Sequence, residues 1–313
     1  MRRWIAITCL LLAGCEGASE TVLTNDDYEV PKRYAARGLA LGEYHSCGLD
    51  RDDYPICWGS DPAPDEYLKV ATKVPWGKFD KLSASDDYTC GLRTDGSLAC
   101  AGWLYRPESP EHDLRPPPGR FLDVATAWTF ACGLRIDRTV QCWGPAPGTL
   151  AVPTGTFLEI SGRLHDVCGI RDNGTIVCWG TRPADKIVAP PAGSFATVAV
   201  GARFHCALDQ SGAVTCWKSF VDSEIGMPPP TDRFSAIAVG STSACGIRLD
   251  GAIVCWGEPP IDHWGNAIPQ PAGGSPPFNS IAAGNNHMCA FDGGWVVCWG
   301  VNNLGQASPP SYL

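Results

Sequence analysis

The sequence predicts an all-β fold built from seven copies of one β-hairpin. The chain has 313 residues, of which 35 are Gly and 27 are Pro, so turns are frequent and long helices are few. Fourteen of the 16 cysteines form seven close pairs, whose first members recur at steps of 36 to 44 residues. A repeat of this length is typical of stacked supersecondary units, and it replaces the two domains that length alone favours.

Other residues recur in phase with the cysteines. An aromatic anchor stands eleven positions before the first cysteine in six copies, and Ala36 takes that place in the first copy. Trp follows the second cysteine in six copies, and Ala101 follows it in the second copy. The anchors are Phe79, Phe121, Phe157, Phe195, Phe234 and Phe278. The cysteine pairs are Cys47/Cys57, Cys90/Cys100, Cys132/Cys142, Cys168/Cys178, Cys206/Cys216, Cys245/Cys255 and Cys289/Cys298.

The spacing inside each pair predicts a tight hairpin. Cys90 and Cys100 flank a three-residue loop centred on Asp95, so the two cysteines face each other at about 4.5 to 5.5 Å, and Gly96 supplies the left-handed residue that the loop needs. Three other copies also have glycine there, at Gly174, Gly212 and Gly251.

Three copies depart from this turn. Asp53 and Arg138 stand where the others have glycine, so we expect those two turns to be strained or differently built. The seventh pair is one residue closer, and its centre is Gly293-Gly294, which suits a two-residue turn. Its cysteines again face each other.

Zinc ligands, free buried thiols and disulfides are the three interpretations of these cysteines. Zinc clusters bring two ligands within two to four residues of each other, and the chain contains no Cys-x-x-Cys. Free thiols fit a cytosolic protein, whereas the N-terminal segment favours export. We therefore predict seven disulfides, each worth about 2 to 3 kcal/mol in the chain-entropy model.

The N-terminal segment has the order of a secretory signal. Arg2 and Arg3 precede an apolar run over residues 4–12 that is too short to span a bilayer. The run ends in Leu12-Ala13-Gly14-Cys15, which resembles the lipobox of bacterial lipoproteins; an ordinary signal with an incidental cysteine is the alternative. The resemblance implies a signal peptide over residues 1–14, lipid attachment at Cys15 and, because Glu16 follows, a cell-envelope location as an outer membrane lipoprotein, periplasmic or surface-exposed.

Both faces of each hairpin are apolar, because the cysteines share one face with aliphatic residues while the Trp points to the other. Each unit must therefore be sandwiched between neighbours, as in a radial stack of small sheets. Two stretches of the chain resemble the repeat of the regulator of chromosome condensation family, in a secreted, cysteine-containing bacterial variant. They are Ala199-Val200-Gly201 to Cys206-Ala207-Leu208, and Trp299-Gly300-Val301-Asn302-Asn303-Leu304-Gly305-Gln306. The resemblance covers residues 36–306 and implies a seven-bladed β-propeller.

Only the last copy keeps the family's Asn-x-x-Gly-Gln stretch. The others have longer or irregular connections, above all at residues 61–74, 104–118 and 258–277. We expect the propeller over residues 34–313 and a lipidated tether over residues 15–33.

The net charge of -9 repels phosphate backbones and anionic lipid headgroups, so nucleic acid is excluded as an expected partner. No motif predicts catalysis, a metal or a cofactor. None of the six histidines forms a short ligand pair. The family resemblance implies that His45 and His287, each two positions before a cysteine, are structural. The Asp50-Arg51-Asp52-Asp53 stretch lacks the Gly and Glu of a calcium loop. Gly240-Ser241-Thr242-Ser243 lacks the strand-to-helix turn of a nucleophile elbow. The glycosylation-like sequence Asn173-Gly174-Thr175 is explained by a hairpin turn alone.

Two functions remain: a monomeric, non-enzymatic protein whose loops bind a protein or glycan, and an enzyme, a lyase or hydrolase, with its site on the propeller axis. An enzyme requires acids, His or metal ligands at equivalent positions of several copies, and we expect only turn and core residues there. The sequence therefore favours binding through the long connections. Their aromatic and histidine residues are the predicted partner contacts: Trp103, Tyr105, His112, His263 and Trp264.

Overall fold

Seven separate three-stranded antiparallel sheets make up the part of the chain that the computed structural model describes, residues 38–59, 77–86, 88–102, 114–144, 150–183, 186–223, 228–259, 277–292 and 295–310. In every sheet the strands pair in chain order, first with second and second with third. Each sheet is one blade, so the all-β prediction with seven blades is confirmed.

The blades have nearly identical strand lengths. Their strands are β1 (Leu39–Leu41), β2 (His45–Leu49) and β3 (Pro55–Gly59); β4 (Phe79–Ala84), β5 (Tyr88–Arg93) and β6 (Leu98–Gly102); β7 (Phe121–Thr126), β8 (Ala131–Arg135) and β9 (Val140–Trp143); β10 (Phe157–Arg163), β11 (Asp166–Arg171) and β12 (Ile176–Gly180); β13 (Phe195–Val200), β14 (Phe204–Asp209) and β15 (Val214–Lys218); β16 (Phe234–Val239), β17 (Ser243–Arg248) and β18 (Ile253–Gly257); β19 (Ser280–Ala283), β20 (His287–Phe291) and β21 (Val296–Gly300).

The seven predicted disulfides are present, each within its own hairpin. In every blade the paired cysteines are direct cross-strand partners, as the loop lengths predicted. Their Cα atoms lie 3.9 to 4.0 Å apart, closer than the expected spacing. The bonds are Cys47–Cys57, Cys90–Cys100, Cys132–Cys142, Cys168–Cys178, Cys206–Cys216, Cys245–Cys255 and Cys289–Cys298.

The two cysteines of a pair differ in burial. The first cysteine of each pair lies in the middle strand and is almost fully buried in all seven blades. The second lies in the third strand, the outermost strand of each described sheet, where the neighbouring blades cover it less. Six of these second cysteines are only partly buried: Cys57, Cys142, Cys178, Cys216, Cys255 and Cys298. Cys100 is the exception at 5% exposure, and it packs in one cluster with Leu114.

The hairpin turns have one geometry with or without glycine. Gly96 has a φ of 83°, and Asp53 and Arg138 take the same left-handed conformation at 66° and 65°. The expectation of strain is therefore met in backbone geometry, because a side chain occupies a conformation that favours glycine. Gly293 and Gly294 lie outside the described residues.

Each hairpin tip is bonded to the start of the next blade. The amide of Phe121 donates to the carbonyl of Gly96 at 2.8 Å, and the amide of Phe157 donates to that of Arg138 at 2.9 Å. The same bond links the other anchors to the preceding tips. The anchors thus fix the distance between successive blades.

The blades close into a ring. The first strands of successive blades pack against each other, and β19 of the seventh blade packs against β1 of the first. The described residues form seven apolar clusters, one at each junction between blades, as the two apolar faces of the hairpin predicted. The inner first strands therefore surround a central axis.

The junction between blades seven and one is held by polar contacts as well. Ser46 Oγ lies 2.7 Å from His287 Nε2 and donates to the carbonyl of Gln306 at 2.8 Å. The Trp58 indole N–H donates to the same carbonyl at 2.9 Å, as the Trp143 indole donates to the carbonyl of Leu114 at 3.1 Å. The C-terminal segment at Gln306 thus packs on the first blade in the way that the connection at Leu114 packs on the third blade.

Within the described ranges, no helix has the length and apolar character needed to cross a membrane. Cys15, the predicted signal peptide and the predicted tether lie outside those ranges. Their assignment stays a prediction.

Candidate binding face and axial channel

The ring has two ends, which we call the first-turn end, where first and second strands are joined, and the hairpin-tip end. Each third strand also finishes at the first-turn end, because Gly59, Gly102 and Gly257 are the cross-strand partners of the residues that begin their second strands. The connections over residues 60–76, 103–113 and 260–276 therefore leave the blades at the first-turn end. The predicted contacts Trp103, Tyr105, His112, His263 and Trp264 lie outside the described residues, so their role stays a prediction.

An exposed aromatic residue stands at the base of one of these connections. Trp128, in the first turn of the third blade, is 46% exposed, and its ring lies 5.4 Å from the His165 ring in an edge-to-face arrangement. Tyr88, the cross-strand partner of Gly102, places its hydroxyl 2.6 Å from the carbonyl of Phe130 in the same turn. The connection over residues 103–113 thus leaves beside Trp128, which no motif had indicated.

Three rows of residues surround the axis, one from each level of the inner strands. The mouth row, nearest the hairpin tips, is Gly38, Lys81, Asp123, Glu159, Thr197, Ala236 and Ser280. The middle row, opposite the first cysteines, is Ala40, Ser83, Ala125, Ser161, Ala199, Ala238 and Ala282. The floor row, at the first turns, is Gly42, Ser85, Ala127, Arg163, Gly201, Gly240 and Gly284.

Small side chains leave an open channel along the axis. Ser83, Ser161, Ala199 and Ala282 of the middle row are partly exposed to solvent. Neighbouring blades cover both faces of these inner strands, so solvent reaches the row along the axis. The rows therefore line a channel.

Arg163 is the one large side chain of the floor row, and it crosses the axis to the opposite side of the ring. Its Nη2 donates to Asn285 Oδ1 at 2.6 Å, and its Nη1 donates to the carbonyls of Ala283 at 2.8 Å and Leu41 at 3.5 Å. Ala283 belongs to β19 and Leu41 to β1, so one guanidinium bonds both strands of the closing junction. Arg163 thereby fills the first-turn end of the channel.

The electrostatic setting of Arg163 keeps it cationic. Burial lowers the pKa of the guanidinium, while the charges of Asp86 and Glu43 oppose that shift. Arginine stays protonated in proteins even when its pKa falls. The next residue, Leu164, has a φ of 47°, a strained conformation for a leucine, and its carbonyl accepts the Trp128 amide at 2.5 Å.

The mouth row carries ionisable groups on three consecutive blades. Lys81 Nζ donates to Asp123 Oδ1 at 2.5 Å, and Asp123 Oδ2 accepts the amide of Ile160 at 3.3 Å. Glu159 Oε1 accepts the Thr197 hydroxyl at 2.7 Å and the amide of Val198 at 3.4 Å. These bonds satisfy amides on the inner edges of the first strands, which have no further strand to pair with.

Burial sets the protonation of this group. Burial raises the pKa of Glu159 to about 7, although Lys81 and the Thr197 hydroxyl oppose the shift. Burial also acts to lower the pKa of Lys81, but the charge and hydrogen bond of Asp123 outweigh it and leave that pKa raised. The expectation that equivalent positions hold only turn and core residues is wrong here. The signal lay two positions after each anchor, where Lys81, Asp123 and Glu159 stand.

A second buried charge lies between the fourth and fifth blades. Burial raises the pKa of Asp166 to about 6, opposed by Arg182, whose Nε donates to Asp166 Oδ2 at 3.3 Å. Burial lowers the pKa of His205 to about 3, with the charge of Arg182 adding to the shift, so the ring is neutral. His205 Nε2 lies 3.8 Å from Asp166 Oδ2, too far for a hydrogen bond, and the two do not form a proton relay.

The structural interpretation of His45 and His287 is confirmed. Both are buried, and His45 Nε2 lies 2.7 Å from Thr89 Oγ1 in the next blade. Burial lowers their pKa values to about 4 and about 3. Both rings are neutral and join blades at physiological pH.

The other short motifs close turns. Asp50 accepts the amides of Asp52 and Tyr54 through Oδ1, and Asn173 accepts the amide of Thr175 in the same way. Gly240 and Ser243 close a first turn, with the Gly240 amide donating to the carbonyl of Ser243. Across the described ranges, no three or more His, Cys, Asp or Glu side chains converge as metal ligands.

Comparison with known proteins shows the fold. No protein-family model matches the chain. The CRINKLY WD40 ectodomain of the receptor kinase ACR4 from Arabidopsis thaliana aligns over 85% of this chain and 95% of its own, at 25% identity and a TM-score of 0.67. The chain therefore has the fold of a seven-bladed β-propeller.

Two further propellers agree. The ectodomain of the Physcomitrella patens receptor kinase CR4 aligns over 85% of this chain and 74% of its own, at 21% identity and a TM-score of 0.64. Prp20p of Saccharomyces cerevisiae, described with its binding to Gsp1p and histones, aligns over 84% and 82% at 14% identity and a TM-score of 0.57. At these identities the likeness is one of fold.

Proposed function

We propose that this protein is an exported, lipid-anchored cell-envelope protein whose propeller binds a protein or glycan partner at the first-turn end, without catalysis. The observation that carries the proposal is the exposed Trp128 in a first turn, close to the start of the connection over residues 103–113. All three long connections begin at this end, and two of them, residues 60–76 and 260–276, end at the hairpin tips. Aromatic side chains of this kind dominate the energy of many interfaces.

The repeat separates residues that stabilise the fold from residues that are free to bind a partner. The anchors, the Trp residues and the first cysteine of each pair are buried between blades, and the second cysteines are held in disulfides, so all are committed to the fold. The residues that differ between copies can then determine which partner is bound. The similar solved structures include two receptor ectodomains and Prp20p, described with its protein partners, which fits a binding role.

The disulfides support export. Seven disulfides indicate an oxidising extracellular or secreted environment. With the predicted signal over residues 1–14, this favours lipidation at Cys15. Replacement Cys15→Ala should release the folded protein from membranes, since no electrostatic attraction to anionic lipid is expected at a net charge of -9. Continued sedimentation with membranes at high salt contradicts the anchor.

The binding face is tested by two matched tryptophans at opposite ends. Partners are captured with the purified chain and identified by mass spectrometry, and capture is then compared for Trp128→Ala and Trp295→Ala. Trp295 is 67% exposed in a hairpin tip, so its loss controls for the removal of an exposed ring. Capture should fall only for Trp128→Ala or for Gly-Ser replacement of the connections over residues 61–74, 104–118 or 258–277. Loss of capture only for Trp295→Ala moves the face to the hairpin-tip end, and unchanged capture for all of them rejects the first-turn end.

A further inference from the structure

The channel is open at the mouth row and filled by Arg163 at the floor row. Between them the middle row contains only alanine and serine, four of whose side chains are partly exposed. The channel is thus a blind recess that opens between the hairpin tips. This recess is at the opposite end of the ring from the proposed binding face.

The mouth row departs from sevenfold equivalence on one side only. Three blades contribute Gly38, Ala236 and Ser280, while consecutive blades contribute Lys81, Asp123 and Glu159, followed by Thr197. Inner strands need acceptors for their edge amides, and Ser161 Oγ serves that need in the middle row by accepting the Val200 amide at 3.3 Å. A neutral hydroxyl therefore suffices for the structural task, and the charges of the mouth row exceed it.

The charges of the mouth row do not balance. Lys81 is bonded to Asp123, so among the described residues the Glu159 carboxylate has no direct cationic partner. Both hydrogen bonds of Glu159 use Oε1, and Oε2 accepts none from the described residues. The raised pKa of Glu159 is expected of a partly desolvated carboxyl that lacks a direct counter-ion.

We propose that the mouth of the channel binds a primary ammonium group, carried either by a small amine or by a lysine side chain of a partner. Glu159 Oε2 accepts one N–H and balances the charge. The ammonium has three donors, so N–H groups remain for water in the channel.

The test is a titration of the purified full chain with n-butylamine and with n-butanol, which has the same shape without the charge. Binding is followed by ligand-observed NMR and by calorimetry at pH 8. The amine should bind and the alcohol should not. Glu159→Gln, which keeps an acceptor for Thr197, should raise the Kd for the amine at least about tenfold, while the exposed Glu258→Gln should leave it unchanged.

A second variant and a second ligand complete the design. Lys81→Gln removes the competing cation and should lower the Kd for the amine. A peptide, acetyl-Gly-Lys-Gly-amide, compared with its Nε-acetylated form, distinguishes the two sources: binding of the peptide alone assigns the site to a partner's lysine, and binding of butylamine assigns it to small amines. Equal binding of amine and alcohol, no binding of either ammonium probe, or an unchanged Kd for a folded Glu159→Gln overturns the proposal.

Discussion

The junction between blades three and four and the junction between blades seven and one join equivalent strands by different means. Ten buried residues form the apolar cluster at the first, with Phe157 and Val167 fully buried. Only four buried residues form the cluster at the second. There the hydrogen bonds of Ser46 with His287 and Gln306, and those of Arg163 from across the ring, are added.

This difference follows from chain connectivity. Blades three and four are joined by the chain itself, so their apolar cluster and backbone hydrogen bonds such as that of Phe157 with Arg138 need only to bring neighbours together. Blades seven and one are far apart in sequence, and their closure must select one register among several. Hydrogen bonds are directional, which makes them suited to that selection. Blade four lies opposite the closing junction, with three blades on either side of it, and it supplies Arg163.

The largest expected effect is that of Arg163→Met. The variant keeps side-chain bulk but leaves Asn285 Oδ1 and the carbonyl of Ala283 without their donor, so the free energy of unfolding should fall by about 3 kcal/mol. Denaturant titration measures the loss, and hydrogen exchange should show it first in β1 and β19. The exposed Arg120→Met is the control. Equal loss of protection in all blades contradicts a specific role at the closing junction.

Removal of one disulfide should cost the same on both sides of the comparison. The double variants Cys168→Ala/Cys178→Ala and Cys289→Ala/Cys298→Ala open loops of sequence separation 10 and 9, so each should lose about 2 to 3 kcal/mol. Denaturant titration checks the values. A much larger loss in blade seven means that its disulfide supports ring closure as well as its own hairpin.

These contrasts show where the sequence was informative. The cysteine spacing defines cross-strand partners within nine or ten residues, so hairpins, register and disulfides follow from local geometry. Arg163 and the mouth-row residues act between blades, and their roles depend on which inner strands face one another across the axis. Spacing from the anchors would have aligned these rows and shown one arginine among small residues, but its partners in β1 and β19 depend on ring geometry. Trp128 gave no signal because exposure of a turn residue is not periodic.

Acid should weaken the closing junction. His287 has a folded pKa of about 3, because of burial and the charges of Arg163 and His45, against 6.5 when unfolded. The unfolded chain therefore takes up the proton first, and the stability held above pH 6.5 is lost as pH falls toward 3. Between pH 7 and 5 this group alone costs about 2 kcal/mol.

The variant His287→Gln isolates that contribution. Its free energy of unfolding should fall less than that of the parent chain between pH 7 and 5, by about 2 kcal/mol, in urea titrations at both values. Glu159, whose pKa is raised, shifts stability in the opposite direction in both proteins and cancels in the comparison. Identical pH dependence in the two proteins means that His287 titrates in the folded state.

The smallest effect is expected at the ordinary junction, in the turn that contains Arg138. Its carbonyl accepts the amide of Phe157, so the backbone there must stay left-handed to join blades three and four. Asparagine tolerates this conformation better than arginine, so Arg138→Asn should stabilise the protein by about 0.5 kcal/mol, even with the loss of an exposed ion pair to Asp172 worth little. Gly96→Ala, at the same turn position one blade earlier, is the matched opposite: it should destabilise by about 1 kcal/mol, because the added Cβ makes only ordinary or slightly tight contacts and the positive φ carries the cost. Thermal unfolding of the three proteins distinguishes the signs. If both variants destabilise equally, the Arg138 side chain rather than the turn backbone holds this junction, and the contrast with the closing junction is weaker than the hydrogen bonds indicate.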